Sequence, residues 1–221
     1  MRKTFIFILV LLMARFGAAQ NLTLEAIKSY PFPSELSAAT TGSRIAWAVD
    51  EQGKRNVYVA EGPDFKARRI TNFMKDDGQE ITSLSLSDDG KWVVFVRGGD
   101  HGSNWDEELP VNPAFAATPL KVKVMSVSFD GGEAKALSEG DAPAISPKGN
   151  TVAFIKGGQV WTVPIDGSAE AKNLFTARGT VGSLQWSPDG SSLAFVSSRG
   201  DHSIVGVFTN ADTPIQWIAP S

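Results

Sequence analysis

"LQWSPDGSSLAFVSSRGD", residues 184–201, sets two apolar runs around a tight turn. Leu184-Gln185-Trp186 alternates apolar and polar, the period of a half-buried strand. In Ser187-Pro188-Asp189-Gly190, Pro188 presets φ, Asp189 accepts from turn backbone, and Gly190 takes positive φ where the next strand starts. Leu193-Ala194-Phe195-Val196 is apolar without alternation, the pattern of a strand covered on both faces. A lone hairpin is marginal in water, so this one requires neighbours of its own kind.

Three further copies occur. "SLSLSDDGKWVVFVRGGD" begins at Ser83, "APAISPKGNTVAFIKGG" at Ala142, and a degenerate "LSAATTGSRIAWAVDEQG" at Leu36. The turn glycines are Gly42, Gly90, Gly149 and Gly190. Three residues after each stands Ile45, Val93, Val152 or Leu193; four after, Ala46, Val94, Ala153 or Ala194; five after, Trp47, Phe95, Phe154 or Phe195. Third strands read as 56–60, 123–129, 159–165 and 203–209. Short fourth strands follow in "ARRIT", "AKALS", "KNLFT" and "PIQWIA". The turn glycines are spaced 48, 59 and 41 residues apart. Four strands in each such unit is the pattern of a β-propeller blade. The expected fold is therefore all-β: four consecutive four-stranded blades, at about 36–72, 83–138, 142–177 and 182–219, forming part of a six- to eight-bladed ring.

The string W-S-P-D-G followed by L-A-F resembles the WD40-like repeat of TolB-type proteins. It also resembles the propeller repeat of the prolyl oligopeptidase (S9) family of serine peptidases, which includes dipeptidyl peptidase IV-like and acylaminoacyl peptidase-like enzymes. The resemblance covers roughly residues 25–221. It implies the propeller portion of a secreted S9-type peptidase, acting on peptides beside further blades and a hydrolase domain. A TolB-like periplasmic module that binds protein partners is the alternative, and a self-closing four-bladed scaffold is a third.

Arg2 and Lys3, the apolar stretch Phe5–Ala14 and Gly17-Ala18-Ala19 form the three regions of a secretory signal peptide over 1–19. An N-terminal anchor is the alternative. The propeller domain then spans 20–221, exported to the periplasm or beyond, with no membrane contact in the mature form. There is no cysteine, so no disulfide supports the fold. The net charge of −3, with both signs mixed, leaves no nucleic-acid footprint.

The S9 resemblance brings no catalytic residue with it, because no G-x-S-x-G elbow occurs. His101 and His202 stand beside Asp100 and Asp201 and are expected to be solvated loop residues. No metal-ligand spacing is present, and no metal or cofactor is expected. One stretch exceeds a minimal blade: 34 residues separate Gly90 from Val124, against 11 from Gly149 to Val160. A loop of this length is commonly functional. It carries "NWDEEL", and Trp105, Glu107 and Glu108 are the candidate substrate-binding residues. Dipeptidyl peptidase IV-like members hold a substrate's amino terminus with paired glutamates, and carboxylates suit an ammonium. The competing reading is a solvated acidic loop with Trp105 packed beneath it.

Overall fold

A computed structural model of the chain describes residues 23–99, 101 and 120–218. The leader at 1–19 and the candidates Trp105, Glu107 and Glu108 lie outside these residues. The chain divides into a unit ending at Tyr30 and a unit beginning at Pro31. The first holds a short helix, α1 (Leu24–Lys28), whose N-cap Thr23 accepts from the Ala26 amide at 3.1 Å.

The second unit is four antiparallel four-stranded meanders. Blade 1 comprises β1 (Phe32–Ala38), β2 (Arg44–Glu51), β3 (Lys54–Glu61) and β4 (Arg68–Arg69). Blade 2 comprises β5 (Ile81–Leu86), β6 (Trp92–Arg97), β7 (Lys123–Ser128) and β8 (Lys135–Glu139). Blade 3 comprises β9 (Asp141–Ile145), β10 (Thr151–Lys156), β11 (Gln159–Pro164) and β12 (Lys172–Phe175). Blade 4 comprises β13 (Thr180–Trp186), β14 (Leu193–Ser198), β15 (Ser203–Phe208) and β16 (Gln216–Ile218). The first two strands of every blade meet at the predicted turn. Gly190 has φ +65° and donates to Ser187 O at 2.8 Å, and Gly90 and Gly149 repeat this bond.

Each first strand carries a bulge absent from the repeat pattern. Glu35, Ser83, Ala142 and Ser183 have φ between 49° and 59°, each seven residues before its turn glycine. The pairing register of the first two strands shifts at the same level in all four blades. A non-glycine residue held there costs about 1–3 kcal/mol, so neighbouring packing must enforce it. Side chains of β1 contribute across the blade boundary: Glu35 Oε2 and Ser37 Oγ accept the Leu84 and Leu86 amides at 3.2 and 3.0 Å.

The offsets from the turn glycine assign the two faces of a blade. Residues three and five places on face the preceding blade, and the residue four places on faces the following one. Ala46 packs with Val93 and Phe95 in one core, Val94 with Val152 and Phe154 in a second, and Ala153 with Leu193 and Phe195 in a third. A strand with both faces covered must be apolar at every position, which accounts for the unbroken runs VVFV and VAF.

Polar ties cross the boundaries too. Arg68 donates to the carbonyls of Phe129 and Asp130 at 2.6 and 3.0 Å. From the last strand of blade 1 it thus joins blades 1 and 2. Thr40 and Thr41 hydroxyls donate to Asp88 Oδ1 and O at 2.7 and 2.8 Å, and the Trp186 indole donates to Ala144 O at 3.1 Å.

Candidate functional site

One face of the arc gathers the starts of the first strands and the turns between second and third strands. On it lies a cavity of about 500 Å³. Its wall includes Lys121 before β7, Glu139 at the end of β8, Asp141 at the start of β9, Lys156 and Gly157 at the β10–β11 turn, and Thr180 of β13. The long excursion between β6 and β7 leaves and returns on this same face, because Arg97 and Lys123 are paired neighbours.

Charges around the cavity are matched in part. Lys121 Nζ lies 3.4 Å from Glu139 Oε2, with both groups exposed. Such a pair contributes about 0–1 kcal/mol. The Lys156 ammonium sits 5.1 Å from the Trp161 ring centroid. Backbone at Gly140, Gly157 and Gly158 leaves the wall without side chains at those points, with φ of +145°, +57° and +70°.

Beside the cavity His101 corrects the sequence expectation. It is half-buried and bridged, not a solvated loop residue. Its Nε2 lies 2.9 Å from Asp141 Oδ2, and its Nδ1 lies 3.3 Å from Glu80 Oε2 and 3.4 Å from Thr82 Oγ1. Its amide donates to Glu80 Oε2 at 3.1 Å. Both carboxylates are distant in sequence, so a reading limited to the neighbouring Asp100 missed them. Burial alone would lower the pKa of His101. The hydrogen bond and charge of Asp141, with those of Glu80, outweigh burial and raise it. An imidazolium that donates from both nitrogens is a bridge and a poor general base. His202, by contrast, is exposed beside Asp201 at 2.7 Å.

The two carboxylates meet opposite nitrogens of one ring and do not converge on a common point. Among the described residues no group of three His, Cys, Asp or Glu side chains is arranged to hold a metal ion. Nor is any helix among them long and apolar enough to cross a membrane. What the wall offers is a mixed lining: the ammonium and carboxylate groups of Lys121, Glu139, Asp141 and Lys156, backbone at the glycines, and the apolar side chains of Val122, Ile155 and Val181.

No protein-family model and no curated protein matches the sequence. Solved structures do match in fold. TolB from Acinetobacter baumannii superposes with TM-score 0.56 at 16% identity, covering 87% of this chain and 44% of that one. A structure from a study of two prolyl endopeptidases gives 0.61 at 14% identity, covering 95% and 33%. The β-propeller domain of the trilobed protease from Pyrococcus furiosus gives 0.58 at 11%, covering 86% and 58%. The chain thus spans well under two thirds of each of these structures. At such identities the likeness is one of fold, and together with the four meanders it makes this chain four blades of a larger β-propeller.

Proposed function

We propose that the chain is the propeller portion of an exported S9-type serine peptidase, admitting peptide to a hydrolase domain without contributing to bond cleavage. The observation that carries this reading is the cavity of mixed polar and apolar lining on the face where the long β6–β7 excursion leaves and returns. Ammonium, carboxylate and backbone groups there match the amides and charged ends of a peptide. On this reading Trp105, Glu107 and Glu108 of the excursion hold the substrate's amino terminus. The prolyl endopeptidase likeness over 95% of the chain supports it.

The test is to read the open reading frame past codon 221, express the whole product and treat it with a fluorophosphonate. A downstream G-x-S-x-G elbow and covalent labelling are expected, with hydrolysis of dipeptidyl or acylated peptide substrates. N-terminal sequencing of the exported product should begin near Gln20. A frame that stops after two further blades, with no labelling, would favour the second reading, a periplasmic TolB-like module that binds a protein partner. That reading draws on the TolB likeness over 87% of the chain.

A further inference from the structure

One imidazole joins equivalent places of two blades. In each first strand a residue of positive φ forms the bulge, Ser83 in blade 2 and Ala142 in blade 3. His101 touches the residue just before each: Thr82 Oγ1 lies 3.4 Å from Nδ1, and Asp141 Oδ2 lies 2.9 Å from Nε2. Glu80, just ahead of β5, adds its carboxylate at 3.3 Å. Asp141 is also a wall residue of the cavity. Its side chain is 30% exposed, so a ligand in the cavity can reach it. One oxygen is committed to the bulge, since Oδ1 accepts the Ala142 amide at 2.5 Å. The other is held by His101. The arrangement sits at the boundary of blades 2 and 3, inside the chain and away from both outer flanks.

We infer that His101 and a cationic peptide side chain compete for the Asp141 carboxylate, so that the cavity takes the ligand's charge in exchange for the proton of His101. Resting on the peptide reading of the cavity, the exchange names a class of ligand and a pH control for it. Charge decides the direction. Among the described residues the cavity wall carries Lys121, Lys156, Glu139 and Asp141, and Glu80 stands on the other side of the ring. With His101 protonated, three cations balance three carboxylates. Loss of its proton leaves the cluster one negative charge in excess. Lys121 pairs with Glu139 at 3.4 Å and Lys156 lies over the Trp161 ring at 5.1 Å, while Arg97 of β6 is paired with Asp77. The neutral ring has a single N–H. The Thr82 hydroxyl can donate to Nδ1, which leaves Nε2–H on Asp141 as an ordinary hydrogen bond, about half as strong as one from an imidazolium. A guanidinium or ammonium entering the cavity makes the stronger, charge-assisted bond and displaces it. Protonation of His101 and binding of a cation therefore oppose each other, and by linkage the opposition is reciprocal.

N-acetyl-arginine amide tests this, because its guanidinium is charged at every pH used and its blocked ends do not titrate. N-acetyl-glutamine amide is the neutral control. Calorimetric titration of the full chain should give an affinity for the arginine probe at least about fivefold higher at pH 9 than at pH 6. The glutamine probe should show no such rise. Near pH 7, titrations in two buffers of different ionisation enthalpy should show proton release as the arginine probe binds. Saturation with that probe should lower the pH midpoint of the His101 ring protons. His101→Asn should hold the probe with one affinity across the range, and Asp141→Asn should lose it. The measurements on the parent stand whether or not either variant folds. Binding of the arginine probe without proton release or a shift in the His101 midpoint overturns the inference and leaves the peptide reading standing. Failure of both probes to bind at any pH overturns both.

Discussion

The ring of Phe195 lies on the backbone of Gly206, and Trp217 meets the same ring edge-on at 5.6 Å between centroids. The three residues form one row across β14, β15 and β16. A Cβ at position 206 would occupy the space of the Phe195 ring. Phe175 of blade 3 packs on the same ring, tilted, with centroids 4.8 Å apart. Gly206→Val should therefore lower the melting temperature through overpacking, by about 1–3 kcal/mol. Phe195→Ala should cost about 3–5 kcal/mol through the cavity it leaves. Denaturant unfolding of both variants and of their combination checks the contact: the double variant should be more stable than the sum of the single losses implies.

Arg68 reaches from the last strand of blade 1 to two carbonyls of the turn after β7. Its guanidinium also lies 5.8 Å from the centre of the Phe129 ring, which Arg44 approaches at 4.3 Å. Hydrogen bonds from a charged donor contribute about 1.5–3 kcal/mol. Arg68→Ala should cost a comparable amount, and Arg68→Lys should recover only part of it, because an ammonium cannot match the planar fork. Equal stability of the Arg68→Lys variant and the parent would show that charge alone suffices there.

The propeller was legible because its signals are local. A turn of Pro, Asp and Gly, followed at fixed offsets by small and aromatic residues, survives in a single sequence, and the blade faces follow from strand alternation. The bulges at Glu35, Ser83, Ala142 and Ser183 were not legible, because each is a positive-φ position filled by a residue that does not advertise it. This is why the first strands extend further back than the repeat alignment. The His101 bridge was hidden for a different reason. Its partners stand 21 and 40 residues away and meet it only once blades 2 and 3 stack. Phe195 lies on the covered face of blade 4. An odd offset from Gly190 points it into blade 3, and the open side of blade 4 belongs to Ala194 and Val205.

Two turn aspartates predict the acid limb of stability. Asp189 Oδ1 accepts the Ser187 hydroxyl at 2.6 Å, the Ser191 amide at 3.0 Å and the Ser191 hydroxyl at 2.8 Å, and these bonds lower its pKa to about 2. Around Asp89 burial pushes the pKa up, but bonds from Lys91 and Ser87 prevail and bring it to about 2. A carboxylate with a depressed folded pKa stabilises fully above its ordinary value of about 3.9, and this is lost as pH falls through the folded value. Melting temperature should therefore fall between about pH 4 and pH 2. The double variant Asp89→Asn, Asp189→Asn should melt lower at neutral pH and lose less over that interval. An unchanged acid slope in the double variant would count against the turn bonds.

His101 predicts the opposite limb. Its folded pKa is raised, against burial, chiefly by the Asp141 hydrogen bond and charge and then by those of Glu80. A cation with a raised folded pKa stabilises fully below its ordinary value of about 6.5, and that contribution disappears as pH rises through the folded value. The bridge between the Glu80 segment and β9 should thus be strongest in mild acid and weaken in alkali. Ring-proton chemical shifts of His101 should titrate above the ordinary histidine range. Asp141→Asn should lower the His101 midpoint more than Glu80→Gln does, since Asp141 makes the shorter bond, 2.9 against 3.3 Å. In His101→Asn the fall in melting temperature above pH 6.5 should flatten. If the His101 midpoint in the parent lies below the ordinary value, desolvation outweighs the two carboxylates, and stability should rise with pH through this range where the bridge predicts a fall.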